Sequence, residues 1–157
     1  MKIPFLARFL TSDAASMPPK VTYADGLSAK NKARFGPLLL GIVGDLPDLL
    51  AVSVMDLKAG ALLATYHIGG KLNPAKAAAF NAEIIRQTQL ALQALELTGE
   101  AIEDILITLD TQWHILRLLP DNRHFVHLMV NQRDTNLGIA REVLRAHTAD
   151  SPADSPA

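Results

Sequence analysis

Five histidines, His67, His114, His124, His127 and His147, are the side chains in this sequence best suited to hold a metal or move a proton near neutral pH. His124 and His127 stand three apart on an expected strand, which sends them to opposite faces, so they cannot grip one ion together. His67 and His114 fall on separate strands and His147 near a helix end, and no His-Glu-x-x-His pair occurs. With no cysteine there is neither a thiolate nucleophile nor a sulfur-based zinc site. A nucleophilic serine would need a Gly-x-Ser-x-Gly elbow, and none is present. Gly36, Gly41 and Gly44 do not build a phosphate-cradling loop, and no dinucleotide fingerprint follows a strand. Asp56 and Asp110 sit at strand ends, where aspartate closes turns. Arg86 has the chemistry of an arginine finger, but its spacing from Glu83 suits a local helix pair, with Gln87 beside them. No catalytic residue, cofactor or metal site is expected, and the reading is a binding module.

The elements that carry these residues follow from periodicity and punctuation. Ser28 to Val43 places Phe35, Leu38, Leu39, Ile42 and Val43 at helical spacing, with Gly36-Pro37 expected to kink or restart the helix. Leu50 to Asp56 and Ala61 to Ile68 read as a hairpin turned at Leu57-Lys58-Ala59-Gly60. Asn73, as N-cap, and Pro74, at the first helical position, open a long helix to about Leu97. Ile105 to Leu109, Trp113 to Leu119 and His124 to Val130 read as three more strands, and Asn136 to about His147 as a last helix. The order is helix, two strands, helix, three strands, helix, an α+β arrangement.

Two features exceed what one chain needs. Ile105, Ile107 and Leu109 oppose Leu106 and Thr108, while Val126, Leu128 and Val130 oppose Phe125 and Met129, so both faces of the sheet are apolar and both need helices. On the long helix, Phe80, Ala91, Ile84, Ala77, Leu95, Leu92, Ile85 and Ala78 fall within an arc of about 160°, against the roughly 100° stripe of a helix packed on one surface. Such a helix is either sunk deeply into its own sheet or packed on both that sheet and another chain.

Composition narrows the partners. A 49% hydrophobic fraction over 157 residues supports one domain with a full core. The formal net charge of -1 offers no clustered positive field for nucleic acid. No stretch reaches the roughly 18 apolar residues of a membrane span. Arg8 interrupts MKIPFLARFL, so that stretch does not read as a signal peptide, and it is not expected to contact a membrane. Residues 1–27 are expected as an extended segment, 28–147 as the domain and 148–157, with its repeated Ala-Asp-Ser-Pro unit, as a disordered tail. The absence of cysteine fits a cytoplasmic location.

LLAVSVMDLKAGALLATYH at 49–67, AIEDILITLDTQWHILRLLP at 101–120 and HFVHLMVNQRDTNLGIAREVL at 124–144 together resemble the Roadblock/LC7 domain family. NLGIARE at 136–142 is the most family-like string; many relatives have Pro-Gly-x-x-Gly before the first strand, where this chain has Pro47-Asp48-Leu49-Leu50. The resemblance implies a profilin-like sandwich, a five-stranded antiparallel sheet between helices. It also implies dimers in which the long helices meet and the Ile105–Leu109 strands pair edge to edge. Ala77, Phe80, Ile84, Ala91, Leu95, Ile105, Ile107 and Leu109 would then form the interface of a homodimer. Family partners are small Ras-like GTPases, bound by a non-enzymatic adaptor through exposed contacts, here Glu83, Arg86, Gln87 and Gln93. The alternative is a scaffold subunit of a motor or signalling assembly without a GTPase.

Overall fold

Ser28 begins the first helix by accepting a hydrogen bond from the backbone N–H of Asn31 at 3.2 Å. The computed structural model describes residues 18–70 and 72–149, so the expectations for residues 1–17 and 150–157 lie outside the described residues. Its elements are β1 (Thr22–Tyr23), α1 (Ala29–Asp45), β2 (Leu49–Asp56), β3 (Ala61–His67), α2 (Pro74–Ala94), β4 (Ile105–Thr108), β5 (Gln112–Leu118), β6 (His124–Asn131) and α3 (Leu137–Ala149). Helix α1 runs unbroken through Pro37, where an interruption was expected. Phe35 before the proline and Leu38, Leu39, Ile42 and Val43 after it are all buried, and that shared burial offsets the hydrogen bond the proline removes.

One antiparallel sheet holds all strands in the order β1-β3-β2-β6-β5-β4. Six strands replace the expected five, because Thr22 and Tyr23 pair with Thr65 and Ala64 of β3. Two residues between prolines and a glycine carry no readable alternation; tertiary packing makes them a strand. A Cβ at Gly36 would collide with the Tyr23 hydroxyl, so the glycine in α1 makes the room that docks β1. Gly41 likewise clears space for the ring of His147, which pairs with Asp45 at 2.7 Å and ties α3 to α1.

Helices α1 and α3 cover one face, over Val52, Val54, Ile115, Val126, Leu128 and Val130, while α2 covers part of the other, over Met55, Leu116 and Phe125. The expected division of strand side chains between two faces is therefore the division between two cores. Helix α2 starts as expected, with the Asn73 side chain accepting from Lys76 N–H at 3.1 Å, but it stops at Ala94 rather than about Leu97. Glu96 turns left-handed (φ 59°) and the Leu97 N–H returns to the Leu92 carbonyl, closing the helix. At the far end α3 continues to Ala149, past the expected boundary at His147. Thr148 is buried there, donating to the Leu144 carbonyl and accepting from Arg117 Nε.

Asp121 fixes the β5–β6 turn to α1. Its carboxylate accepts from the N–H groups of Arg123 (2.9 Å) and His124 (3.0 Å), from His124 Nδ1 (2.6 Å) and from Arg34 (2.8 Å). Burial pushes its pKa up, but those bonds, led by His124, outweigh burial and hold it at about 2. A carboxyl lowered in this way adds stability that is fully present above its unfolded value near 3.8 and is lost as pH falls through about 2. Asp121→Asn should lower unfolding free energy by about 1–3 kcal/mol at pH 7, read by urea titration, and should remove this part of the acid dependence.

Candidate interaction surface

The wide apolar arc of α2 divides in two. Ala78, Ala82 and Ile85 are buried against the sheet, whereas Phe80 is 70% exposed, Leu95 67% and Ile84 36%. Ala91 is also exposed and Ala77 is half-buried. The helix is thus not sunk into its own sheet; one half of its oily arc is open. It packs over β2 and β3, near one side of the sheet, and β4 forms the edge on the other side.

On β4, Ile105 and Ile107 are half-buried and pack against the α2-side core, while Leu106 is 39% exposed on the opposite face. Leu109, expected to end this strand, lies just past it and is 47% exposed, its N–H bonded to the Gln112 carbonyl in the turn to β5. Open apolar residues on α2 and an apolar edge strand that pairs on one side only, among the described residues, thus belong to the same molecule.

A polar chain crosses the floor between them. Asn81 of α2 and His127 of β6, both buried, meet at 3.1 Å; His127 Nε2 meets His114 Nδ1 at 3.1 Å; and His114 Nε2 meets Gln112 Oε1 at 3.3 Å. An amide nitrogen can only donate, so Asn81 donates to His127 Nδ1, His127 Nε2–H donates to His114, and His114 Nε2–H donates to Gln112. Every link is satisfied with both rings neutral. The facing nitrogens point at one another, with ring centroids 5.1 Å apart, rather than at a common point where an ion could sit. Burial lowers the pKa of both rings. It takes His127, with the His114 charge adding to the effect, to about 3.

Sequence reasoning considered these histidines separately and missed the pair. The available signal was hairpin register: the turn at 119–123 sets Leu118 opposite Phe125 and Leu116 opposite His127, which puts His114 and His127 diagonally on one face.

Among the expected contact residues, Glu83 does pair locally. Arg86 Nε and Nη2 donate to its Oε2 at 3.1 and 2.9 Å, and Gln87 Nε2 to its Oε1 at 2.7 Å. Arg86 also does something the helix pattern could not show, donating from Nη1 to the Leu57 carbonyl at 2.7 Å and clasping α2 to the β2–β3 turn. It is half-buried in consequence, whereas Gln93 stands apart and exposed two turns on.

Three helices on an antiparallel sheet, with an open long helix and an apolar edge, define a sandwich of the Roadblock/LC7 class, and solved structures of that class superpose on it. MglB of Myxococcus xanthus matches with a TM-score of 0.62 at 14% identity, over 73% of this chain and 91% of that one. A Roadblock/LC7 domain from Streptomyces avermitilis matches with 0.59 at 12%, over 71% and 89%. An MglB structure with a tetrameric arrangement matches with 0.54 at 19%, over 76% and 93%. No family model and no curated protein matches the sequence. The chain therefore has the Roadblock/LC7 fold, recognised through structure. None of the helices in the described residues is long and apolar enough to cross a membrane.

Because the histidine chain requires neutral rings, the unfolded protein takes up protons first as pH falls below about 6.5. Stability should be complete above that value and decline below it, by about 2 kcal/mol between pH 7.5 and 5 from His127 alone. Urea titrations at the two pH values check this, and His127→Gln should flatten the difference.

Proposed function

We propose that this chain is a non-enzymatic dimeric adaptor that binds a small Ras-like GTPase and modulates its nucleotide cycle or its location. The observation that carries the dimer is the coincidence of two open apolar features in one fold: the Ala77, Phe80, Ile84, Ala91 and Leu95 side of α2, and the edge strand with Ile105, Ile107 and, just beyond it, Leu109. A second copy related by a twofold axis covers both, since paired edges extend one sheet across two chains and set the two α2 helices against each other. Self-association is supported by the MglB structure of this fold with a tetrameric arrangement.

The GTPase rests on the resemblance of the sequence to Roadblock/LC7 domains. Glu83, Arg86, Gln87 and Gln93 are the contacts we assign to it. The Glu83–Arg86–Gln87 network holds three polar groups in fixed positions on the solvent side of α2, ready for a protein surface at little further ordering cost.

Ile84→Glu combined with Ile107→Lys should shift sedimentation velocity at micromolar concentration from dimer to monomer. A wild-type chain that runs as a monomer would sink the dimer. Purification from native lysate followed by mass spectrometry should recover a GTPase; recovery of a non-GTPase assembly would instead support the scaffold reading.

A further inference from the structure

The flank of α2 turned away from the dimer side borders an open cavity of about 740 Å³, lined by Leu57, Lys58, Arg86, Gln89, Asn122 and Arg123 among others. A second cavity of about 480 Å³ shares Gln89 and Asn122 with it, so the two form one trough running on to Leu92, Leu97 and Ile102. At about 100° per residue, Arg86, Gln89 and Gln93 lie across the helix from Ala77, Phe80 and Ile84. The trough thus belongs to one protomer and stays open when the proposed seam closes.

Its cationic side chains stand at one end. Arg86 donates to the Leu57 carbonyl at 2.7 Å, Leu57 N–H donates to the Arg123 backbone carbonyl at 2.9 Å, and Lys58 follows directly, so three cationic residues flank Leu57 and line the first cavity. Glu83 balances Arg86, and the Asp56 carboxylate is turned back to its own Ala59 N–H. Lys58 and Arg123 form no ion pair among the described residues. Beyond these residues the trough has a mixed lining, in which Leu92, Leu97, Ile102 and Leu118 stand among Gln89, Gln93, Thr98, Glu100 and Asn122.

We infer that this trough docks an acidic peptide segment of a protein partner, its carboxylates at Lys58 and Arg123 and its apolar side chains along Leu92, Leu97 and Ile102. Charge complementarity selects the occupant. A free phosphate would leave Leu92, Leu97 and Ile102 unused, and a nucleic acid would meet Glu83 and Glu100 beside the trough in a chain of net charge -1. The inference rests on the reading that the ligand is a protein and does not require the dimer.

The test is fluorescence anisotropy on the full chain with a labelled dodecapeptide carrying paired glutamates followed by leucines one helical turn apart, beside a control with lysines for the glutamates. The acidic peptide should bind, the control should not, and high salt should weaken the complex. Lys58→Glu with Arg123→Glu should weaken it by about tenfold or more, and Leu97→Ser, at an already exposed position, should weaken it at unchanged salt dependence. Equal binding of the control, undiminished binding by the charge-reversed variant, or no binding of the acidic peptide would each overturn the inference. Sedimentation of the same samples separates the two readings: a monomer that binds the acidic peptide keeps the trough and loses the dimer, and a dimer that does not bind it does the reverse.

Discussion

A sheet with oily side chains on both faces must be covered twice, and the rest of this molecule is arranged around how far one chain achieves that. Helices α1 and α3 together close one face over a core that runs from Phe35 to Leu144. On the other face, among the described residues, there is a single helix, α2, and it lies near β2 and β3. Burial is therefore uneven: Met55 and Phe125 are fully enclosed, while Ile105 and Ile107, toward the β4 edge on the same face, are only half-buried. The unfinished side is the one with the exposed row on α2. In water such an edge draws another strand or is left as a liability, and here it has neither charge nor proline to blunt it.

Polar groups, not more apolar area, fix where the helices sit. Asn81 reaches from α2 to His127, Arg86 reaches from α2 to the Leu57 carbonyl, Arg34 reaches from α1 to Asp121, and Arg117 and Arg141 share Asp104 beside α3. Hydrophobic burial is non-directional and would tolerate sliding; a buried donor has one acceptor, and losing it costs the desolvation of both partners. Each helix thus has at least one directional tie to the sheet or its turns. Those same ties generate the features relevant to function. The Arg86 clasp holds the β2–β3 turn against α2, where Lys58 and Arg123 line one end of a trough, and the Asn81 tie carries the histidine chain across the floor toward the edge strand.

Most of the architecture was legible from the sequence because it depends on local periodicity. Asn73-Pro74 marked the start of α2, the alternation in 124–130 divided β6 between two cores, and the excess arc on α2 announced a helix with more apolar surface than its sheet would take. What was misread depends on contacts distant in the chain. Thr22–Tyr23 becomes a strand because Gly36 leaves space for a tyrosine, α1 survives Pro37 because a core holds both sides of it, and α3 keeps Thr148 because Arg117 bonds to it.

By itself, then, the sequence determined the class of fold, the two-sided sheet, the apolar edge segment and the lack of any recognisable catalytic motif, since composition, turn chemistry and side-chain period act over a few residues at a time. Only the tertiary structure decided which half of the α2 arc is left open, that Asn81 reaches His127, and that Lys58, Arg86 and Arg123 line one cavity. Those outcomes require strand register and helix placement, set when residues dozens of positions apart satisfy one another's hydrogen bonds and fill one another's voids, and no local pattern encodes them.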